Sequence, residues 1–147
     1  MRPPDRGAYC LLIHLQADRE ATVGRLGRFR FPKGYYVYCG SAMRGLAARI
    51  ARHQRRVKKL RWHIDCLLAL PAARFVACVP YPSHRREECA INQQVQRLPG
   101  AGIPVHGFGS SDCTRGCPAH LTYFERCPGL PGPIPQSATA IEARNPS

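Results

Sequence analysis

The stretch Tyr35-Tyr36-Val37-Tyr38-Cys39-Gly40-Ser41, followed by an arginine-bearing segment that runs to His53, decides how this 147-residue chain folds. Aromatic and β-branched side chains fit a pleated, half-buried surface, so Tyr35 to Cys39 predicts a strand. Gly40 ends the run, and Ser41 can cap a following helix by accepting a backbone N–H of its first turn. Counting about 100° per residue from Leu46, the residues Ile50, His53 and Val57 share the stripe that faces the core. Arg49 lies at the margin of that stripe, one turn before His53, so the two side chains can point the same way. Arg44, Arg55 and Lys58 fall on the wet face. A strand therefore delivers Tyr38 and Gly40 beside a helix that aims Arg49 and His53 back toward the sheet.

Outward from there, Tyr9 to Leu15 is apolar on both faces, which suits a central strand covered on both sides. Thr22 to Leu26 predicts a second strand in a hairpin with the first, and Gly27 to Gly34 a basic, glycine-punctuated loop or further strand. Trp62 to Leu68 reads as the start of a buried helix and Ala73 to Val79 as a short strand. Arg85 to Leu98 reads as a third helix, with Glu87 and Glu88 in its first turn, where the helix dipole favours anions. Val105 to Gly109 and His120 to Phe124 flank a cysteine-bearing loop. Residues 1–6 predict a flexible lead-in, 7–126 one folded domain, and 127–147 a proline-rich, disordered tail without apolar periodicity.

The length suits a single domain with one modest core, and 44% hydrophobic residues exclude global disorder. The formal charge is +13. Only Lys33, Lys58 and Lys59 are lysines, so 19 of the 22 basic residues are arginine, whose donor fork matches phosphate. Nucleic acid, DNA before RNA, is the leading partner for such a surface, with an anionic membrane or a solvated face as alternatives. No stretch approaches the ~18 apolar residues of a membrane span, and the start leads into too short an apolar run for a secretory signal. A cytoplasmic protein is expected. Cys10, Cys39, Cys66 and Cys78 sit in apolar runs as small hydrophobes, and no disulfide framework is expected in that compartment.

Gly7-Ala8-Tyr9 opening the first strand, then Tyr38-Cys39-Gly40, then an arginine with a histidine four residues later, resembles the GIY-YIG endonuclease superfamily. The strings Gly40-Ser41-Ala42, Arg52-His53, Trp62-His63-Ile64-Asp65, Glu88-Cys89 and Gly107-Phe108-Gly109-Ser110-Ser111-Asp112-Cys113 are similar to its small Uri-type branch, whose domain also occurs fused to endonuclease III. The resemblance covers roughly residues 7–125. It implies an α/β domain with a small mixed, mainly antiparallel sheet flanked by helices, and a divalent-metal-dependent endonuclease. The gap between Tyr9 and Tyr38 is longer than in the shortest members, a cheap extension between strands.

Hydrolysing a phosphodiester needs an in-line water, a group to take its proton, and positive charge for the developing phosphorane. The resemblance implies that Glu88 holds Mg²⁺ or Mn²⁺, as suits an ion bound through one or two carboxylates; the alternative is a helix cap, as Glu87 also offers. It implies that Tyr9 and Tyr38 orient or deprotonate the water, which a phenol of pKa ≈ 10 does only beside cations such as Arg49 or Lys33. Arg49 fits the scissile phosphate bidentately, and His53 can move a proton or act as a core histidine. Gly40, Ser41, Arg52, Arg56, Lys58, Lys59 and His63 make up the candidate substrate-binding face, against the reading of a solvated basic run. Cys113, Cys117 and His120, with Cys89 or His106 as a fourth, have the residue types of a zinc site, although the three residues between the cysteines make the spacing loose. The expected function is thus a nuclease, with a non-catalytic nucleic-acid-binding module or a zinc-stabilised adaptor domain as rivals.

Overall fold

A computed structural model describes residues 3–56, 58–110, 113–131 and 141–142. Its strands and helices run β1 (Gly7–Leu15), β2 (Arg19–Val23), β3 (Gly27–Phe31), β4 (Gly34–Ala42), α1 (Leu46–Gln54), α2 (His63–Leu68), β5 (Ala73–Pro82), α3 (Glu88–Gln96), β6 (Leu121–Phe124) and β7 (Ile141–Glu142). The main sheet has the order β6-β4-β1-β5-β7, and every described pairing in it is antiparallel. This is an α/β domain with a mainly antiparallel sheet flanked by helices.

The doubly apolar β1 is the central strand, as its sequence requires. Its odd-numbered residues Tyr9, Leu11, Ile13 and Leu15 pack with Leu46 and Ile50 of α1 and Ile64 and Leu67 of α2. Its even-numbered residues Ala8, Cys10 and Leu12 pack with Ile91 and Val95 of α3. The domain is therefore three layers, with α1 and α2 on one face and α3 on the other. No described helix is long and apolar enough to cross a membrane.

Three expectations change. Thr22 to Leu26 does not pair with β1: β2 pairs with β3 in a separate two-stranded sheet, because both long edges of β1 are taken by β4 and β5. Gly40-Ser41 does not stop β4, which continues to Ala42 with Gly40 opposite Tyr9 and Gly7 opposite Ala42. Ser41 consequently does not cap α1. The residue before α1 is Gly45, in the left-handed region with φ 61° and no side-chain cap. Asp5 does the capping from a distance, its carbonyl accepting from the Leu46 N–H at 3.0 Å and its Oδ1 from the Ala47 N–H at 2.9 Å.

The lead-in is thus tied down on both sides, since the Arg6 carbonyl also accepts from the Ser83 N–H. Val57, expected on the buried stripe, lies outside the described residues; α1 itself ends at Gln54. Most of the expected disordered tail also lies outside them. Within it, Ile141 and Glu142 pair with Cys78 and Ala77 of β5, and the Pro131 carbonyl accepts from the Tyr81 hydroxyl.

Loss of an N-cap oxygen costs about 1 kcal/mol. Asp5→Ala is expected to lower the unfolding free energy by roughly that amount in urea melts, and Asp5→Asn, which keeps the acceptor, by much less.

Candidate functional site

Pairing between β4 and β6 ends at Tyr38 opposite Leu121, and the Cys39 N–H donates instead to the His120 carbonyl. Beyond that point one edge of β4 carries no β6 partner. A cavity of about 370 Å³ opens there, lined by Tyr9, Tyr38, Gly40, Ser41, Arg49 and Glu88 among others. The open edge explains how helices on opposite faces both reach it. Arg49 comes from α1 on one face, and Glu88 is the first residue of α3 on the other.

Gly40 makes room for the chemistry. A Cβ there would lie 2.6 Å from the Tyr9 hydroxyl and 2.8 Å from its Cζ, closer than side-chain atoms pack. Gly109, at φ 70°, faces Tyr38 in the same way, 2.9 Å from Cε1 to a built Cβ. The Gly109 N–H donates to Nδ1 of His63 at 2.8 Å, which fixes that ring in the cavity wall.

The tyrosines are buried, with ring centres 6.3 Å apart. Burial pushes both hydroxyls up from the ordinary phenol value, and the Arg49 charge pulls only partly the other way. Tyr9 Oη lies 2.8 Å from Nε2 of His53. His53 is 2% exposed, does not line the cavity, and has no partner for Nδ1 among the described residues. Burial, aided by Lys58, drives its pKa down to about 3, so it is neutral at physiological pH. It stands behind Tyr9, where it can exchange a proton with that hydroxyl but cannot touch a phosphate.

Glu88 supplies the one carboxylate of the lining among the described residues. Its Oε2 is buried without a hydrogen-bond partner among the described residues. An ionised oxygen in that state is costly unless a cation or water completes it, so this residue fits a divalent ion. Arg49, Arg61 and Arg86 line the same cavity and make it basic.

Several residues expected to bind substrate do other work. Arg52 forms a fork with Asp65, Nη1 to Oδ1 and Nη2 to Oδ2 both at 3.0 Å, and donates also to the Lys59 carbonyl. Arg56 donates to the Ala73 and Pro71 carbonyls. Lys58 donates to the Arg52 and His53 carbonyls, closing the C-terminal end of α1. Carbonyls at helix ends and in loops need donors, and these side chains supply them, Arg56 while staying exposed. Lys33 sits at the far end of β4, seven residues from Gly40 or about 23 Å along a strand, with its N–H given to Asp18. Lys59 stays exposed and, with Arg52, Arg55, Lys58, Leu60 and Arg61, lines a second, basic groove. Asp65, 0% exposed, also accepts the Arg61 and Trp62 N–H groups.

Trp62, Arg61 and Arg86 were given no site role from the sequence, although Trp62 opens one of the strings that carry the resemblance. The Trp62 ring gathers Arg49, Arg52 and Arg61 at 4.5, 4.3 and 4.9 Å from its centre, favourable cation–π placements. The lone tryptophan next to a basic run was the available signal. Ser111 and Asp112 of the cysteine-bearing loop lie outside the described residues.

Beside Glu88, the ligand atoms of Cys89, Cys113, Cys117 and His120 all lie within 4.8 Å of one another. This cluster could hold a metal ion; His106 is not part of it. Cys113 and His120 also form part of the cavity wall.

The site is thus a basic, tyrosine-lined cavity with a buried carboxylate oxygen that has no partner among the described residues, and an adjoining Cys₃His cluster. Residues 8–140 match the family described as "Domain of unknown function DUF123", and the chain belongs to that family. No curated protein and no solved structure matches it.

Breaking a buried ion pair by removing one partner costs about 3–5 kcal/mol, so Asp65→Asn is expected to destabilise the fold on that scale while Lys59→Ala changes it by less than ~0.5 kcal/mol. Burial works to raise the Asp65 carboxyl, but Arg52 and the two backbone N–H groups overcome it and hold the pKa below the ordinary carboxylate value. A depressed pKa stabilises the fold above the unfolded value near ~3.9 and is lost as pH falls through the folded one. Urea melts at descending pH should therefore show an acid-induced loss that Asp65→Asn lacks.

Proposed function

We propose that this protein is a metal-dependent endonuclease of GIY-YIG type, acting on a phosphodiester of nucleic acid, with DNA as the first substrate to test. The observation that supports it most is the buried Oε2 of Glu88, without a hydrogen-bond partner among the described residues, in a cavity shared with Tyr9, Tyr38 and Arg49. These residues are separated by up to 79 positions (88 minus 9) in the chain. A space of about 370 Å³ is room for about twelve waters at ~30 Å³ each, enough for a sugar–phosphate link and a hydrated ion.

Glu88 would hold Mg²⁺ or Mn²⁺, which when bound supplies positive charge for the developing phosphorane and leaving oxygen. Arg49 offers its planar fork to the non-bridging oxygens, with Arg61 and Arg86 adding field. Tyr9 and Tyr38, both neutral, orient the attacking water by hydrogen bonds. Tyr9 takes up the water proton as it passes its own to His53. His53 by itself is a weak base, held so by burial and by Lys58, Arg52 and Arg49. An incoming phosphate anion opposes those cations and raises its pKa toward usefulness. The setting we infer is cytoplasmic. The sulfur-rich cluster next to Glu88 has the wrong donors for magnesium, which takes oxygen, and the right ones for zinc.

The neutrality of both tyrosines and of His53 favours one other reading, a module that binds nucleic acid without cutting it. The two separate in a single assay series. Nicking of single-stranded, duplex and branched DNA and of RNA is measured with Mg²⁺ or Mn²⁺, alongside binding at rising salt. The nuclease reading expects metal-stimulated product that falls by a factor on the order of 10²–10⁴ in Glu88→Ala and in Tyr9→Phe, with steeply salt-dependent binding retained in both. Equal behaviour of wild type and Glu88→Ala on every substrate sinks catalysis and leaves the binding module.

A further inference from the structure

Glu88 is held at the mouth of its helix by little that is visible in the cavity itself. The residue that follows it is Cys89, and Cys89 is one corner of the sulfur-rich cluster. Its Sγ lies 3.5 Å from Sγ of Cys113 and 3.7 Å from Nε2 of His120. Zinc bonds of about 2.3 Å to sulfur and 2.05 Å to nitrogen at tetrahedral angles require about 3.8 Å between two sulfurs and about 3.6 Å from sulfur to nitrogen. These two separations differ from the ideal by a few tenths of an ångström, and every ligand atom of the four, drawn from three places in the fold, lies within 4.8 Å of the others.

The surroundings suit an ion too. The Arg115 N–H donates to Cys113 Sγ at 3.4 Å, and Gln93 Nε2 to Cys117 Sγ at 3.9 Å, the kind of N–H···S support that steadies thiolate ligands. Gly116, at φ 75°, turns the chain between the two loop cysteines where a side chain would be strained. His120 is anchored to the sheet by its own backbone, accepting from Cys39 and donating to Phe108.

We propose that Cys89, Cys113, Cys117 and His120 form a closed, structural zinc site that pins the first turn of α3 to the β6 end of the sheet and so positions Glu88 in the cavity. Four protein ligands leave no open coordination position, which separates this centre from a catalytic one. Binding replaces the thiol protons, which pass to solvent, and no oxidant or reductant is required. Asn92 and Gln96 of α3 already donate to the Ala119 carbonyl in the long connection from α3 to β6, and zinc would extend that tie to the half-buried start of the helix. The metal site stands on its own geometry; only the value of a well-placed Glu88 rests on the nuclease reading.

The test uses the full chain purified under reducing conditions and reconstituted with Zn²⁺. Elemental analysis is expected to give about one zinc per chain for the wild type and for Cys113→His, which replaces one zinc ligand by another, and far less for Cys113→Ala. Hydrogen exchange is then compared with and without zinc. Amides of residues 89–92 are expected to exchange faster once zinc is removed, while those of β1 and β4 keep their protection. Wild type without zinc after reconstitution, or Cys113→Ala retaining as much as wild type, overturns the site. Unchanged exchange at 89–92, or loss of protection across the whole sheet, overturns the positioning role. Zinc with the expected exchange pattern but no metal-dependent nicking leaves this proposal standing and counts against the nuclease alone.

Discussion

The close approach of the Tyr9 ring to the bare backbone of Gly40 is the constraint on which the site depends. Antiparallel pairing puts the two residues directly opposite, and on one face of such a pair Cβ atoms normally stand about 4.5–5.5 Å apart with side chains side by side. Here one of the two side chains is missing, and the phenol of Tyr9 occupies the space that a Cβ at residue 40 would need. The hydroxyl thereby reaches the unpaired edge of β4 while its other side meets His53. Without that vacancy the tyrosine would have to leave the cavity or push β4 away from β1.

The open edge is the second half of the arrangement. Unpaired strand edges are hazards that proteins ordinarily cover. This one is covered by side chains of three elements, and the result is a cavity reachable from both faces of the sheet. Its charge comes from a small part of the arginine excess. Arg52 and Arg56 spend donors on Asp65 and on loop carbonyls. The charge count of the chain therefore overstates its free phosphate-binding capacity. Arg49, Arg61 and Arg86 line the cavity, and Arg52, Arg55, Lys58 and Lys59 the neighbouring groove.

Much of the fold was legible in the sequence because its periodicities are strong. The continuous apolar run from Tyr9 to Leu15 is what a central strand covered on both faces must look like, and the buried stripe of Leu46, Ile50 and His53 follows from the helical repeat alone. The capping of α1 was not legible, since it relies on Asp5, some forty residues earlier. The β2–β3 hairpin was assigned to the wrong partner because local pattern gives a strand but not its neighbour. Of the site, Tyr9, Tyr38, Arg49 and Glu88 were named from resemblance and do line one cavity. Arg52, Arg56, Lys58 and Lys33 were named from charge, and they do not.

The sequence by itself determined the strand and helix types, the basic character, and the presence of four residues with zinc-binding donors, because these depend on composition and short-range repeat. Only the tertiary structure decided which arginines line the cavity, which oxygen of Glu88 has no partner among the described residues, and that Cys89 rather than His106 joins the cysteine–histidine cluster. Those outcomes depend on distances across a sheet edge between elements far apart in the chain. The physical reason is that a side chain's charge or lone pair acts over a few ångströms, and chain order does not specify separations on that scale.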